Sequence, residues 1–309
     1  SALLLLHALT GDARCLDAAV RAGRFLARSC WDPRLGTIPY ECGAPGGGRA
    51  YFFDLGIMAR GLLALWRATG DSEFLDCAAG CARSMAEDFR SASGYHPVIL
   101  LPGKRPIEGG GGWSVRPGCY QLKAAMAWLE VGEAAGSGRF TPLYEELRAA
   151  MLAGHASFLE DGEDRHETVD RLHAYCYFLE GLLPRAGQDD CRVVLRDGIL
   201  RVARLAAGIG PEFERSDVVA QLLRLRLYAA ALGVSPLDRE AAASEALRLG
   251  GHQIKDGGMR AEGAFCFGRR GHSPAPYANP VSTAFAVQAL AMWDAWRHGT
   301  FQPDVWSLI

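Results

Sequence analysis

The stretch Arg171-Leu-His173-Ala-Tyr-Cys-Tyr177-Phe-Leu-Glu180 carries the residue types best suited to moving protons. His173 and Tyr177 are four positions apart, which puts them on one face if the segment is helical. A His and a Tyr so placed could act as base and acid in removing a proton next to a carboxylate. Arg171 could then stabilise the enediolate that results. The same pair would serve equally as a hydrogen-bonded polar contact inside a helix bundle, and both readings stay open at this point.

A second chemistry is open to paired carboxylates. Asp54 and Asp217 each open an apolar, helix-like segment, two repeats apart, and glycoside hydrolysis needs two carboxyl groups facing one another across the scissile bond. Each is also a natural N-terminal capping or dipole-compensating residue. Glu41, Glu108, Glu167, Asp170, Asp256 and Glu262 lie in the neighbouring connections.

Cations and aromatics gather in the same connections. Lys104, Arg105, Arg116, Arg171, Arg215, Arg260, Arg269 and Arg270 recur there, and Arg suits bidentate capture of carboxylate or phosphate. Tyr40, Tyr51, Trp113 and Tyr120 could stack on sugar rings or pack loops onto a rim. The expected binding set is therefore Tyr40, Glu41, Tyr51, Arg105, Trp113, Arg116, Tyr120, Arg171, Arg215, Arg260 and Glu262. The expected ligand is a sugar or polysaccharide, anionic because several helix N-termini should converge on it.

Composition narrows the alternatives. The 309 residues carry a formal charge of −2, so no basic field points to nucleic acid or a membrane surface. No apolar run reaches the roughly 18 residues of a membrane span. The nine cysteines are scattered singly, without CxxC pairs, and read as reduced thiols of a cytoplasmic protein. No metal or organic cofactor is called for, since Gly109–Gly112 lacks the Lys-Ser/Thr of a phosphate-binding loop.

The elements that would position these residues repeat along the chain. Apolar helices are expected from near residues 52, 118, 172, 217 and 280, and those before the last are each followed by a short return and an amphipathic helix. The returns are short, as at Ala68-Thr-Gly-Asp71, whereas 30–50, 90–116 and 250–278 are long. Long loops on a rigid scaffold usually carry function, so the site is expected at their end of the fold. Leu3 to Leu9 followed by Thr-Gly-Asp12 matches Trp66 to Asp71, giving six inner helices but five outer ones. The expectation is a single all-α domain over 1–309, an (α/α)6 barrel or toroid of helical hairpins that lacks one outer helix at the N-terminus. That helix would come from residues upstream of Ser1.

This pattern resembles the (α/α)6-barrel superfamily of carbohydrate-active enzymes, which includes six-hairpin glycosidases, sugar epimerases and uronate lyases. The segment Asn279-Pro-Val-Ser-Thr-Ala-Phe-Ala-Val-Gln-Ala-Leu290 is similar to the closing inner helix of bacterial polysaccharide-biosynthesis proteins. Gly110-Gly-Gly-Trp113 with Arg116-Pro-Gly-Cys-Tyr120 resembles a loop-to-helix junction of glucuronyl C5-epimerases. Terpenoid cyclases fit less well, because no DxDD tetrad occurs, and Cys266 with His272 lacks the Cys-His dipeptide of lanthionine cyclases. The resemblance implies a carbohydrate-active enzyme, and the cationic loops make the expected substrate an acidic sugar or polysaccharide, acted on by epimerisation, elimination or hydrolysis. A glycoside hydrolase with paired carboxylates, or a non-catalytic glycan-binding or scaffold domain, are the alternatives; oligomers are compatible with each.

Overall fold

The computed structural model describes residues 1–309 except 44–47, 108–112, 160–164, 257, 272 and 276, and the backbone alone at 165, 166, 259 and 260. The chain divides into two compact units, one from Ser1 to His155 with Trp306–Leu308, the other from Ala156 to Val305 with Ile309.

The first unit is three helical hairpins: α1 (Ala2–Thr10) with α2 (Ala13–Phe25), α3 (Phe52–Thr69) with α4 (Ser72–Glu87), and α5 (Gln121–Ala134) with α6 (Thr141–Gly154). Where the sequence reads Thr-Gly-Asp, the turn is built the same way twice. Gly11 and Gly70 take left-handed φ of 69° and 73°, a conformation glycine adopts without a Cβ penalty. Their N–H groups donate to His7 and Trp66. Asp12 and Asp71 then cap the next helix by accepting the N–H of Arg14 at 2.9 Å and of Glu73 at 3.1 Å. One short peptide thus ends an inner helix and starts an outer one.

Inner and outer helices differ in burial as their patterns require. Gln121 to Gly132 of α5 are all buried, whereas Arg14, Asp17, Arg21 and Arg24 of α2 face solvent. At Gly56 a Cβ would sit 2.5 Å from the backbone oxygen of Ala124, so α3 and α5 pack at a separation only glycine allows there. The long connections are not featureless. β1 (Arg49–Tyr51) pairs antiparallel with β4 (Val98–Leu100), which pairs with β5 (Arg105–Pro106). Between them β2 (Arg90–Ser91) and β3 (Gly94–Tyr95) form a hairpin.

The cysteine expectation fails at one place. Asp32 and Thr37 bridge antiparallel, turning the chain back so that Cys30 and Cys42 approach to 4.9 Å between Cα atoms and join in a disulfide. The other seven cysteines are free thiols.

The second unit contains α7 (Arg165–Leu182) with α8 (Asp189–Ile209), α9 (Ser216–Ala231) with α10 (Arg239–Gly251), the single turn α11 (Gly258–Ala261), and α12 (Pro280–Arg297). Inner helix α9 packs against both α7 and α12. The strands β6 (Glu214–Arg215), β7 (Gly268–Arg270) and β8 (Ser273–Pro274) form a small antiparallel sheet over the start of α9. Helix α7 begins seven residues before the apolar run that predicted it. No breaker separates the polar turns from the apolar ones, and the Glu167–Arg171 ion pair, four residues apart, supports them. Asp170 and Arg171 are therefore helical residues rather than loop residues. Among the described residues no helix is long and apolar enough to cross a membrane.

Candidate functional site

In the second unit, polar residues recur at three- and four-residue intervals along the facing sides of the inner helices. Helix α7 contributes Asp170, His173, Tyr177 and Glu180; α9 contributes Asp217, Gln221 and Arg224; α12 contributes Gln288, with the apolar ring of Phe285 4.1 Å from the Arg224 guanidinium. They form a seam running from the strand-covered start of α9 inward.

At its outer end Arg215 grips Asp217 with both sides of its guanidinium, Nε donating to Oδ1 at 3.0 Å and Nη2 to Oδ2 at 2.6 Å. Its Nη1 donates to Asp170, and the ring of Phe267 lies 4.6 Å beneath it. Asp217 also accepts the Val218 N–H at 2.8 Å, at the first turn of α9. Burial alone would raise the Asp217 carboxyl. The Nδ1–H side of His173 and the Arg215 fork outweigh it and hold the group below the ordinary carboxylate range.

Beside this pair, His173 Nδ1 lies 2.8 Å from Gln221 Oε1 and 3.5 Å from Asp217 Oδ2. Both neighbours are acceptors, so the Nδ1 position carries the proton and Nε2 carries the lone pair. Burial lowers the His173 pKa and outweighs the opposing pull of Asp217, so the ring is neutral. The Tyr177 ring packs edge-on at 4.5 Å, and burial drives its hydroxyl well above the ordinary phenol range, so it stays protonated. Further in, Arg224 donates to Glu180 at 2.6 Å and to Gln288 at 2.8 Å, with neither charged partner exposed.

The first unit holds a different arrangement. Asp54, in the first turn of α3, makes no hydrogen bond or ion pair among the described residues, and burial raises its carboxyl pKa. Tyr120, just before α5, donates to the carbonyls of Arg116 at 3.0 Å and Ser114 at 3.2 Å. Its phenol is raised by burial and by the charges of Cys119 and Asp54. Rings of Trp113 and Phe53 pack on it at 4.8 and 5.8 Å. Deeper, Glu130 accepts from Arg60 at 2.6 Å and Arg67 at 2.7 Å.

The expected site residues therefore fall into groups. His173, Tyr177, Asp217 and Arg215 are brought together, and so are Asp54, Trp113 and Tyr120. Tyr40 and Tyr51 pack at a tilt of 58° with ring centroids 5.1 Å apart, and Tyr40 is 63% exposed. Glu41, Arg105, Arg116 and Glu262 are exposed. Arg171 pairs with Glu167, and Arg215 with Asp217 and Asp170, so their charges are largely matched within the protein. The Arg260 side chain, Glu108, Gly109–Gly112 and His272 lie outside the described residues. Sequence reasoning missed Gln221, Arg224, Gln288 and Glu130. The signal for them was present: single polar residues at helical spacing within otherwise apolar helices.

No protein-family model matches the chain, and no curated protein matches it in sequence. Solved structures do. Cellobiose 2-epimerase from Spirochaeta thermophila is 15% identical with a TM-score of 0.75, over 96% of this chain and 84% of that one. A sugar epimerase from a ruminal bacterium is 14% identical with a TM-score of 0.69, covering 93% and 84%. An α-amylase from Clostridium perfringens is 12% identical with a TM-score of 0.59, covering 94% and 84%. At such identities the likeness is one of fold, and fold alone does not carry a reaction. The chain has the all-α (α/α)6-toroid fold that these structures share.

Proposed function

We propose that this chain is a carbohydrate-active enzyme that moves a proton at a carbon beside the carbonyl or carboxylate of an acidic sugar, as in epimerisation or elimination. The observation that carries this reading is the environment of His173. Its Nδ1–H is held by Gln221 and faces Asp217, its ring is neutral, and its Nε2 lone pair is the basic site. When Nε2 takes a proton, Asp217 stabilises the imidazolium that forms. Tyr177 stays protonated, packs on the His173 ring and would serve as the donor for the opposite step. The N-terminal turn of α9 adds partial positive charge suited to a carboxylate. Sugar epimerases among the structures of like fold agree with this choice of chemistry.

The test is incubation with uronic acids, uronate oligosaccharides and neutral sugars in heavy water, followed by NMR. Loss of the C–H signal beside the carbonyl in an acidic sugar, abolished by His173→Asn, is the expected result. Equal turnover by the His173→Asn variant would overturn the reading.

Asp54 favours a second reading. A carboxyl without a partner among the described residues, with a raised pKa and beside a Trp–Tyr platform, is what a glycosidase needs in its proton donor. Release of reducing sugar that Asp54→Asn removes and His173→Asn leaves intact would select hydrolysis instead.

A further inference from the structure

The second unit contains a cavity that the sugar chemistry does not use. It lies where α8 passes the return connection 232–238 between α9 and α10, and measures about 250 Å³. One side of it is apolar, with Ile199 and Leu200 from α8 and Pro236 and Leu237 from the connection. Leu200 is 59% exposed at its rim.

Arg226 makes this more than a surface hollow. Its side chain is only 9% exposed and lines the cavity. Nε alone is engaged, donating to the two oxygens of Glu245 at 2.8 and 3.1 Å. Nη1 and Nη2 have no hydrogen-bond partner among the described residues. An acceptor entering the cavity can take these donors. The parallel geometry of those donors matches the two oxygens of a carboxylate. The half-buried Ser235 hydroxyl lines the same space as a further donor.

We propose that this cavity binds a small carboxylate bearing a short apolar chain, its oxygens on the free side of the Arg226 guanidinium and its chain against Ile199, Leu200 and Leu237. The volume equals about eight waters at roughly 30 Å³ each, which accommodates a six-carbon acid. Two further charged groups line the cavity. Arg196 pairs with Asp197, and Asp238 accepts the Ala241 N–H as the cap of α10. Inorganic phosphate would match the guanidinium but leave the apolar walls empty, whereas an alcohol would do the reverse.

Glu245 gives the site a pH signature. Burial pushes its carboxyl up to about 7 against the opposing effect of Arg226. The charged and titratable groups around it are Arg226 on α9, Arg248 on α10, the α10 cap Asp238, and Cys176 on α7. A bound carboxylate shares the Arg226 charge with Glu245 and so favours its protonated form. Binding therefore takes up a proton, and affinity falls as pH rises through neutrality.

Isothermal titration of the whole chain with hexanoate, acetate, 1-hexanol and inorganic phosphate tests this. Hexanoate should bind about tenfold or more tightly than acetate, reflecting the buried methylenes, with neither hexanol nor phosphate competing. Its affinity should be several-fold higher at about pH 6 than at about pH 8. Arg226→Gln should abolish binding. Leu200→Asp, at an exposed position that leaves the Arg226–Glu245 pair intact, should weaken it by about tenfold or more by opposing the ligand charge. Absence of hexanoate binding, equal binding of hexanol or phosphate, or an unaffected Leu200→Asp protein would each overturn the proposal.

Discussion

The Nδ1 nitrogen of His173 lies 2.8 Å from Oε1 of Gln221, across from α7 to α9, and this one hydrogen bond decides which side of the imidazole is basic. Gln221 touches no reacting atom in the proposed chemistry; it is a positioning residue. Gln221→Leu should lower kcat by about 10- to 100-fold while leaving KM near its original value, less than the roughly 100- to 10,000-fold that general-base catalysis supplies, because Gln221 acts through His173. Gln221→Glu keeps an acceptor at the same place and should recover part of the rate. Steady-state kinetics on the substrate found by deuterium exchange check both, and a change in KM alone would assign Gln221 to binding.

The burial of His173 has a direction that kinetics can read. Its folded pKa is below the ordinary value of about 6.5, so the base remains unprotonated to lower pH than a free imidazole would. The acid limb of the kcat/KM profile should therefore fall below pH 6.5, and Asp217→Asn should move it lower still by removing the carboxylate that favours the imidazolium. Stability changes in the same window. Below about pH 6.5 an unfolded His binds a proton that the native ring refuses, so unfolding is favoured as pH falls toward the folded pKa. An acid limb above 6.5 would show that another group controls the rate.

Asp54 and Asp217 both stand in the first turn of an inner helix, yet their substitutions should have opposite effects on stability. The Asp217 pKa is lowered, so it stabilises the fold above the ordinary carboxylate range and loses that contribution as pH falls. Asp217→Asn leaves the nearly buried Arg215 without its main partner and should cost about 3–5 kcal/mol at neutral pH. The Asp54 pKa is raised, so its charge opposes folding as pH rises through that pKa. Asp54→Asn should therefore leave stability at neutral pH unchanged or increase it. Urea denaturation of the two variants measures this, and a strongly destabilised Asp54→Asn would mean that the carboxylate has a structural partner after all.

The hairpin periodicity was legible in the sequence because inner and outer helices bury different fractions of their surface. An inner helix such as α5 reads as almost wholly apolar, and Thr-Gly-Asp turns announce themselves by capping chemistry. The start of α7 was not legible, since its first two turns are polar and helix-forming and resemble a loop to any hydrophobic pattern. The candidate site was half legible. His173 and Tyr177 stand out by spacing, but Gln221, which orients the ring, belongs to another helix 48 residues away. Pairings of that kind, like Arg224 with Glu180, depend on which helices become neighbours, and no local pattern encodes it. The ring of free arginines expected around the ligand was legible as composition only. Arg171 and Arg215 carry carboxylate partners that the sequence places near them without showing the contact.

The Cys30–Cys42 disulfide closes a short connection, 12 residues in sequence separation, between the end of the first outer helix and the approach to β1. Chain-entropy arguments give about 3 kcal/mol for closing a loop of this length in the unfolded state. Its effect should be seen beyond the loop. Trp31, next to Cys30, packs so tightly on α4 that a Cβ at Gly80 would lie 2.4 Å from its ring, so loosening the connection exposes this contact. Non-reducing peptide mapping should recover one crosslinked pair joining the peptides around Cys30 and Cys42. Urea unfolding should show a lower midpoint with reductant than without, and Cys42→Ser should reproduce the reduced midpoint and become insensitive to reductant. If wild type and Cys42→Ser unfold at the same midpoint without reductant, the bond contributes nothing to the fold, and the turn at Asp32–Thr37 holds the connection by itself.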